Sequence, residues 1–133
     1  MFKINRVESE KYFLKSISIY EKLVTLNPEL FEPELAKTES NIADLYRNNQ
    51  DLVKAEKYFR KSIETWERLV KTNSAEFEFW LAVSLNNFGE YWKDIKKFEV
   101  SQEFYGKSRK IFLKSIYLQI ASNCRENKGL YPE

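Results

Sequence analysis

The feature that most limits what this chain can fold into is an internal repeat with a period of 46 residues. Shifted by that distance, residues 10–17 (EKYFLKSI) fall on residues 56–63 (EKYFRKSI), and a fainter third copy begins at residue 102. Two asparagine pairs also match in this register: Asn27 with Asn73, and Asn41 with Asn87. A repeat of this length indicates a stack of similar units, each burying its apolar face on its neighbours.

Each unit contains a helix that we call type B. Within residues 52–70, apolar side chains recur at steps of three and four, which is typical of a helix with one buried face. The same pattern predicts two more type B helices, over residues 10–24 and 104–116.

A second kind of helix, type A, is predicted between the type B helices. The two expected segments are 34–48 and 75–93. Pro33 can occupy a first helical position, where a missing N–H costs nothing. Asn73 followed by Glu76 is compatible with a capping box, with Ser74 as the alternative cap. The turns from type A to type B, at 48–51 and 94–97, are short, and such turns force the paired helices antiparallel.

Small and aromatic residues recur at fixed places in these helices. One unit carries Ile42, Ala43 and Tyr46 on its type A helix and Ala55, Phe59 and Ser62 on its type B helix; the next carries Phe88, Gly89 and Trp92, then Ser101, Tyr105 and Ser108; a leading half-repeat carries Ser9, Phe13 and Ser16. This pattern resembles the tetratricopeptide repeat family over about residues 9–117. Small residues let the paired helices approach closely, and the aromatic rings fill the space beside them.

Some positions depart from the family pattern. The tryptophan usual near the start of the first helix is replaced by Glu39 in one unit and Leu85 in the next. The glycine usual in the turn is replaced by Gln50 and Lys96. The period of 46 residues exceeds the ~34 typical of the family. The longer helices look like those of kinesin light chains and of many bacterial tetratricopeptide proteins.

The resemblance implies an all-α fold, with antiparallel helical hairpins stacked as a short right-handed α-solenoid. Five main helices are expected, in the order B-A-B-A-B. The predicted divisions of the single domain, 1–133, are a half-repeat at 9–27, repeats at 34–72 and 75–122, and a C-terminal tail at 123–133.

Both ends of this stack are type B helices without an additional capping helix. Because every unit of such a stack buries a face on its neighbour, at least one end is expected to be exposed and to pair with a second copy, as in a homodimer, or with a partner chain. The candidate end-face residues are Ile17, Ile19, Tyr20, Ile111, Phe112, Ile116 and Leu118. Two alternatives stay open: the terminal segments 1–7 and 124–133 fold back over the ends, or the chain is a piece of a longer solenoid.

The resemblance also implies that the type A helices line a concave surface on which a partner lies. The positions that correspond are Lys37, Ser40, Asp44, Arg47 and Asn48 in one unit, and Val83, Asn86, Glu90, Lys93 and Asp94 in the next. Spacings of roughly three and four keep each set on one side of its helix. The alternative is an ordinary solvated polar face.

The composition argues against catalysis and against nucleic acid as a partner. The chain has no histidine, one cysteine (Cys124) and no glycine-rich loop, so we predict no catalytic residues, no cofactor, no metal site and no enzymatic activity. Its 22 basic and 20 acidic residues are interspersed without the basic stripe of a nucleic-acid binder.

Other sequence features predict the location and the class of function. No apolar run approaches the ~20 residues of a membrane-spanning helix, and residues 1–6 do not resemble a signal peptide. These features predict a cytoplasmic protein that does not bind membranes. The expected function is a non-catalytic interaction module for a protein or peptide partner. The alternative is a structural unit that assembles with itself through its end helices.

Overall fold

The computed structural model describes residues 6–127, and the described chain forms five helices without a strand. They are α1 (Arg6–Leu26), α2 (Pro28–Asn48), α3 (Leu52–Val70), α4 (Ser74–Asp94) and α5 (Phe98–Asn127). Each helix packs on the next one along the chain, and α2 also touches α4. This confirms the all-α stack of helical hairpins, with α2 and α4 as the type A helices and α1, α3 and α5 as type B.

The two type A helices begin with the same cap. Asn27 accepts a hydrogen bond from the backbone N–H of Leu30 at 3.3 Å, and Asn73 accepts one from Glu76 at 3.4 Å. The asparagine pair matched by the repeat is therefore a pair of helix caps, and the capping residue of α4 is Asn73.

Helix α2 begins at Pro28, six residues before the predicted start at residue 34. The first helical position is therefore taken by Pro28, whereas Pro33 lies inside the helix and is buried. Pro33 lies in the second turn of α2, so it has no N–H to donate to the carbonyl four residues earlier, and the helix continues through it at the cost of that hydrogen bond.

The turns after both type A helices use a left-handed residue that is not glycine. Gln50 and Lys96 both have a φ of 62°. In the first turn the N–H of Gln50 donates to the carbonyl of Arg47 at 3.0 Å, and the N–H of Asp51 donates to that of Tyr46 at 2.9 Å. The same two bonds close the second turn. These are Schellman motifs, whose left-handed position is the one where the family pattern has glycine.

Replacing Gln50 or Lys96 by glycine is expected to raise the free energy of unfolding by about 0.5–1 kcal/mol per site. The left-handed conformation costs a residue with a Cβ about 1–2 kcal/mol, and the greater freedom of glycine in the unfolded chain offsets part of the gain. Urea denaturation followed by circular dichroism would measure the change. Asn49→Gly is the matched control, because φ there is −86°, and it is expected to destabilise. Destabilisation by Gln50→Gly and Lys96→Gly would contradict the prediction.

The core consists of large rings packed beside small residues. Trp66, Phe59 and Phe88 are fully buried, and the rings of Phe59 and Phe88 stack at 5.4 Å. A Cβ added at Gly89 would lie only 2.8 Å from the ring of Tyr105, so this position of α4 requires glycine unless the ring moves. The close approach expected from the small residues is therefore present between α4 and α5.

The two outer helices are longer than predicted. Helix α1 runs from Arg6 to Leu26, and α5 has 30 residues against 19 in α3. Residues 123–127, which were assigned to a tail, continue α5, and the side chains of 113–126 are all exposed. Residues 1–5 and 128–133 lie outside the described chain, so the predicted fold-back of the termini concerns mostly residues that are not described. No helix of residues 6–127 has the length and apolar character needed to cross a membrane.

Candidate functional site

Helices α2 and α4 lie side by side, and each leaves one side open. Helix α2 packs on α1, α3 and α4, whereas α4 packs on α3, α5 and α2. On α2, the exposed side chains of the second half are Asn41 and Asn48, which are seven residues apart and so share one side of the helix. We call the uncovered sides of these two helices the open face.

Side chains at the border between α2 and α4 join the two helices. The ammonium of Lys37 lies 4.8 Å from the centre of the Trp80 ring. The hydroxyl of Ser40 is hydrogen-bonded to that of Ser62 and lies 3.3 Å from that of Ser84. Four of the five residues predicted on α2 to contact a partner, Lys37, Ser40, Asp44 and Arg47, are therefore half-buried on the flank that faces α4.

The charged end of this border is a short ion-pair network. Arg47 donates from Nε to Asp94 at 2.7 Å, and its guanidinium lies 3.7 Å from Asp44. Burial is the largest single influence and acts to lower the pKa of Arg47, but the hydrogen bond to Asp94 and the negative charges nearby together outweigh it, so the pKa of Arg47 is raised. Burial raises the pKa of the Asp44 carboxyl, against the opposing charge of Arg47. Arg47 therefore ties the C-terminal ends of α2 and α4 together.

Four of the five residues predicted on α4 lie on the corresponding flank of that helix, and the fifth, Asp94, bonds to Arg47 of α2. Within the described chain no further type A helix lies beside that flank, so Asn86 and Lys93 are exposed. Val83 and Glu90 are half-buried, and Glu90 accepts a hydrogen bond from the hydroxyl of Tyr105 at 2.6 Å. Burial, together with this hydrogen bond, raises the pKa of Tyr105.

The sequence prediction missed two asparagines of the open face. Asn41 is exposed on α2, and Asn87, its equivalent in the repeat, is half-buried on α4. The signal for them was the repeat, which matches Asn41 with Asn87 although a helical pattern of apolar residues does not call for asparagine there. Each of them follows a residue of the predicted set by one position, so the open face lies to one side of the predicted surface.

The seven predicted end-face residues do not form one exposed surface. Ile17 is buried against α2, and Tyr20 is half-buried with its ring 6.4 Å from that of Phe31. Ile111 and Phe112 are half-buried on α5. The exposed members are Ile19, Ile116 and Leu118.

Chemical groups for catalysis or metal binding are sparse in the described chain. Cys124 is exposed near the end of α5, and residues 6–127 contain no cluster of three acidic or cysteine side chains placed to hold a metal ion. What the open face offers is hydrogen bonding through amides, together with charges of both signs.

Comparison with known proteins gives one match. Residues 36–76 match the family model described as Tetratricopeptide repeat, and this segment runs from the middle of α2 through α3 to the first turn of α4. No curated protein and no solved structure matches the chain significantly. The similarity to the tetratricopeptide repeat therefore covers one helical hairpin and the start of the next helix, and the five-helix stack continues the same arrangement on both sides of it.

Proposed function

We propose that the chain is a non-catalytic interaction module that holds a segment of a partner protein on the open face of α2 and α4. The match to the tetratricopeptide repeat favours a protein as the partner. The observation that carries the proposal is the row of carboxamides on the open face, which consists of the exposed Asn41 and Asn48 on α2 and the half-buried Asn87 on α4.

Carboxamides suit a peptide main chain, because each of them both donates and accepts hydrogen bonds, as the backbone amide does. Lys37 and Asp44 flank the row with opposite charges, which favours a partner segment of mixed charge over a strongly acidic or basic one. The Arg47–Asp94 bond holds the two helices in place before binding, so little ordering of the face is required when a partner arrives.

A displayed library of random peptides, selected on the wild-type chain, would test the proposal. Peptides enriched in this way are expected to bind the double variant Asn41→Ala/Asn48→Ala at least about tenfold more weakly, since each lost hydrogen bond contributes about 1 kcal/mol. Calorimetry would measure the affinity. Arg47 is a poor site for this test, because its loss would also break the border between α2 and α4.

The matched control is Ser18→Ala/Asn123→Ala, which truncates two exposed polar side chains on α1 and α5, away from the open face. This control is expected to bind the peptides as the wild type does. Equal binding by Asn41→Ala/Asn48→Ala and the wild type would place the peptide site elsewhere on the molecule.

A further inference from the structure

We infer that the outer side of α1 binds an amphipathic helix of a partner protein, at a surface separate from the open face. This surface, the α1 stripe, follows steps of three and four residues along the helix, which places its members on one side. It consists of Ser9, Tyr12, Ser16, Ile19, Leu23 and Leu26.

The internal repeat shows what covers such a stripe. On α3, 46 residues later, the equivalents of Ser9, Ser16 and Leu23 are buried beneath α2; they are Ala55 (0% exposed), Ser62 (0%) and Leu69 (7%). On α1 the same three residues are half-buried, and Tyr12 and Ile19, whose equivalents Tyr58 and Thr65 are half-buried on α3, are exposed by 69% and 48%. The surface that a type A helix covers on α3 is therefore more exposed on α1.

A serine hydroxyl of the type B helix bonds the backbone of the covering type A helix in both complete hairpins. The hydroxyl of Ser62 donates to the carbonyl of Ala36 at 3.0 Å, and that of Ser108 donates to the carbonyl of Ala82 at 2.7 Å. Ser16 occupies the equivalent position on α1 and is small enough for a helix to approach as closely.

A cationic side chain beside the stripe also forms an ion pair with the covering helix in both complete hairpins. Arg68 on α3 bonds Glu32 at 2.7 Å, and Lys114 on α5 bonds Glu78 at 3.1 Å. The equivalent residue on α1 is Lys22, which is exposed and forms no ion pair with any residue of the described chain. An incoming helix with an acid at the corresponding place would complete the third pair.

These contacts specify the chemistry of the occupant. In both type A helices a glutamate precedes a small residue by four positions, and a second small residue follows seven positions later. The two sets are Glu32, Ala36 and Ala43 in α2, and Glu78, Ala82 and Gly89 in α4. A second copy is a poor occupant, because in the described chain both helices with this pattern already cover α3 and α5. A partner helix with the same pattern fits.

The test uses the full chain and, as the probe, a fluorescent synthetic peptide with the sequence of residues 28–48. Saturable binding by fluorescence polarisation is expected. Ser16→Phe in the chain is expected to weaken binding at least about tenfold, because the ring holds the two helices apart. Ser18→Phe, an exposed serine on the opposite side of α1, is the matched control and is expected to bind as the wild type does.

A charge exchange tests the register. A peptide carrying Glu32→Lys is expected to bind the wild type several-fold more weakly and to regain affinity for the Lys22→Glu chain, but not for Lys110→Glu. Absence of saturable binding, or equal loss from Ser16→Phe and Ser18→Phe, would overturn the inference. A dimer seen by light scattering and dissociated by Ser16→Phe would also overturn it, because the stripe would then belong to a second copy.

Discussion

Replacing Glu39 by leucine is expected to raise the free energy of unfolding at pH 8 by about 3 kcal/mol. Glu39 is only 5% exposed, and its Oε2 atom has no hydrogen-bond partner. Leu85 occupies the equivalent place in the next unit and is also buried, so a leucine fits this position of the fold.

The physical reason is the cost of a buried charge. Burial raises the pKa of Glu39 from 4.5 to about 7. The charge of Lys61 on α3 opposes this rise, whereas those of Glu21 on α1 and Glu64 on α3 add to it. The difference between the two pKa values corresponds to about 3 kcal/mol of unfavourable free energy once the carboxyl is ionised in the folded protein.

The direction of the pH dependence follows from these values. Between pH 4.5 and about 7 the folded chain holds the proton of Glu39 while the unfolded chain releases it. The contribution of Glu39 to the free energy of unfolding is therefore most favourable below pH 4.5, falls as the pH rises and levels off above about pH 7. Glu39→Leu is expected to remove this fall and so to flatten the profile.

Urea denaturation from pH 4.5 to pH 8 would measure the profile. Glu39→Gln is the matched control, because it keeps the shape and polarity of the side chain but cannot ionise, and it should also lose the dependence on pH. The prediction fails if the stability of Glu39→Leu falls with pH as steeply as that of the wild type.

Replacing Trp66 by alanine is expected to cost about 3–5 kcal/mol, the usual range for truncating a fully buried tryptophan. Trp66 is 0% exposed, and its ring lies 5.9 Å from that of Trp80 and 6.0 Å from that of Phe77. The ring belongs to α3 and is covered by side chains of α4. Thermal and urea unfolding would both measure the loss.

The same position one unit later supplies the control. Phe112 on α5 corresponds to Trp66, but it is half-buried and its ring contacts Phe79, a side chain that is itself exposed. Phe112→Ala is therefore expected to cost about 1 kcal/mol. Equal losses at the two positions would mean that this end of the stack is as tightly packed as the interior.

The repeat and its apolar spacing predicted the helical order, because both depend on local rules that the sequence expresses directly. The limits of α3 agree with the segment predicted for it, since Asp51 caps its start and short turns bound it. The predicted start of α2 at residue 34 is wrong. Asn27 caps the helix and Pro28 occupies its first position, whereas Pro33 lies inside it.

The orientation of the binding face was harder to predict. A spacing of three and four residues places Lys37, Ser40 and Asp44 on one side of α2, but it does not say which neighbour that side meets. The neighbour is α4, and its presence depends on how two units pack against each other. The exposure of Asn41 depends on the same contact. The burial of Glu39 has the same origin, because the packing of the neighbouring helices determines whether that position is exposed to solvent or buried.

The pattern of contacts between the helices also determines how the chain folds. Apart from the contact between α2 and α4, the described helices touch only those adjacent in sequence. Except for that contact, each pair of packed helices closes a short loop, and folding can begin in any hairpin and spread to both sides. Opening follows the reverse order. The last turns of α5, which no other helix of residues 6–127 covers, are expected to exchange their amide hydrogens first, and α3, which lies between α2 and α4, is expected to exchange last.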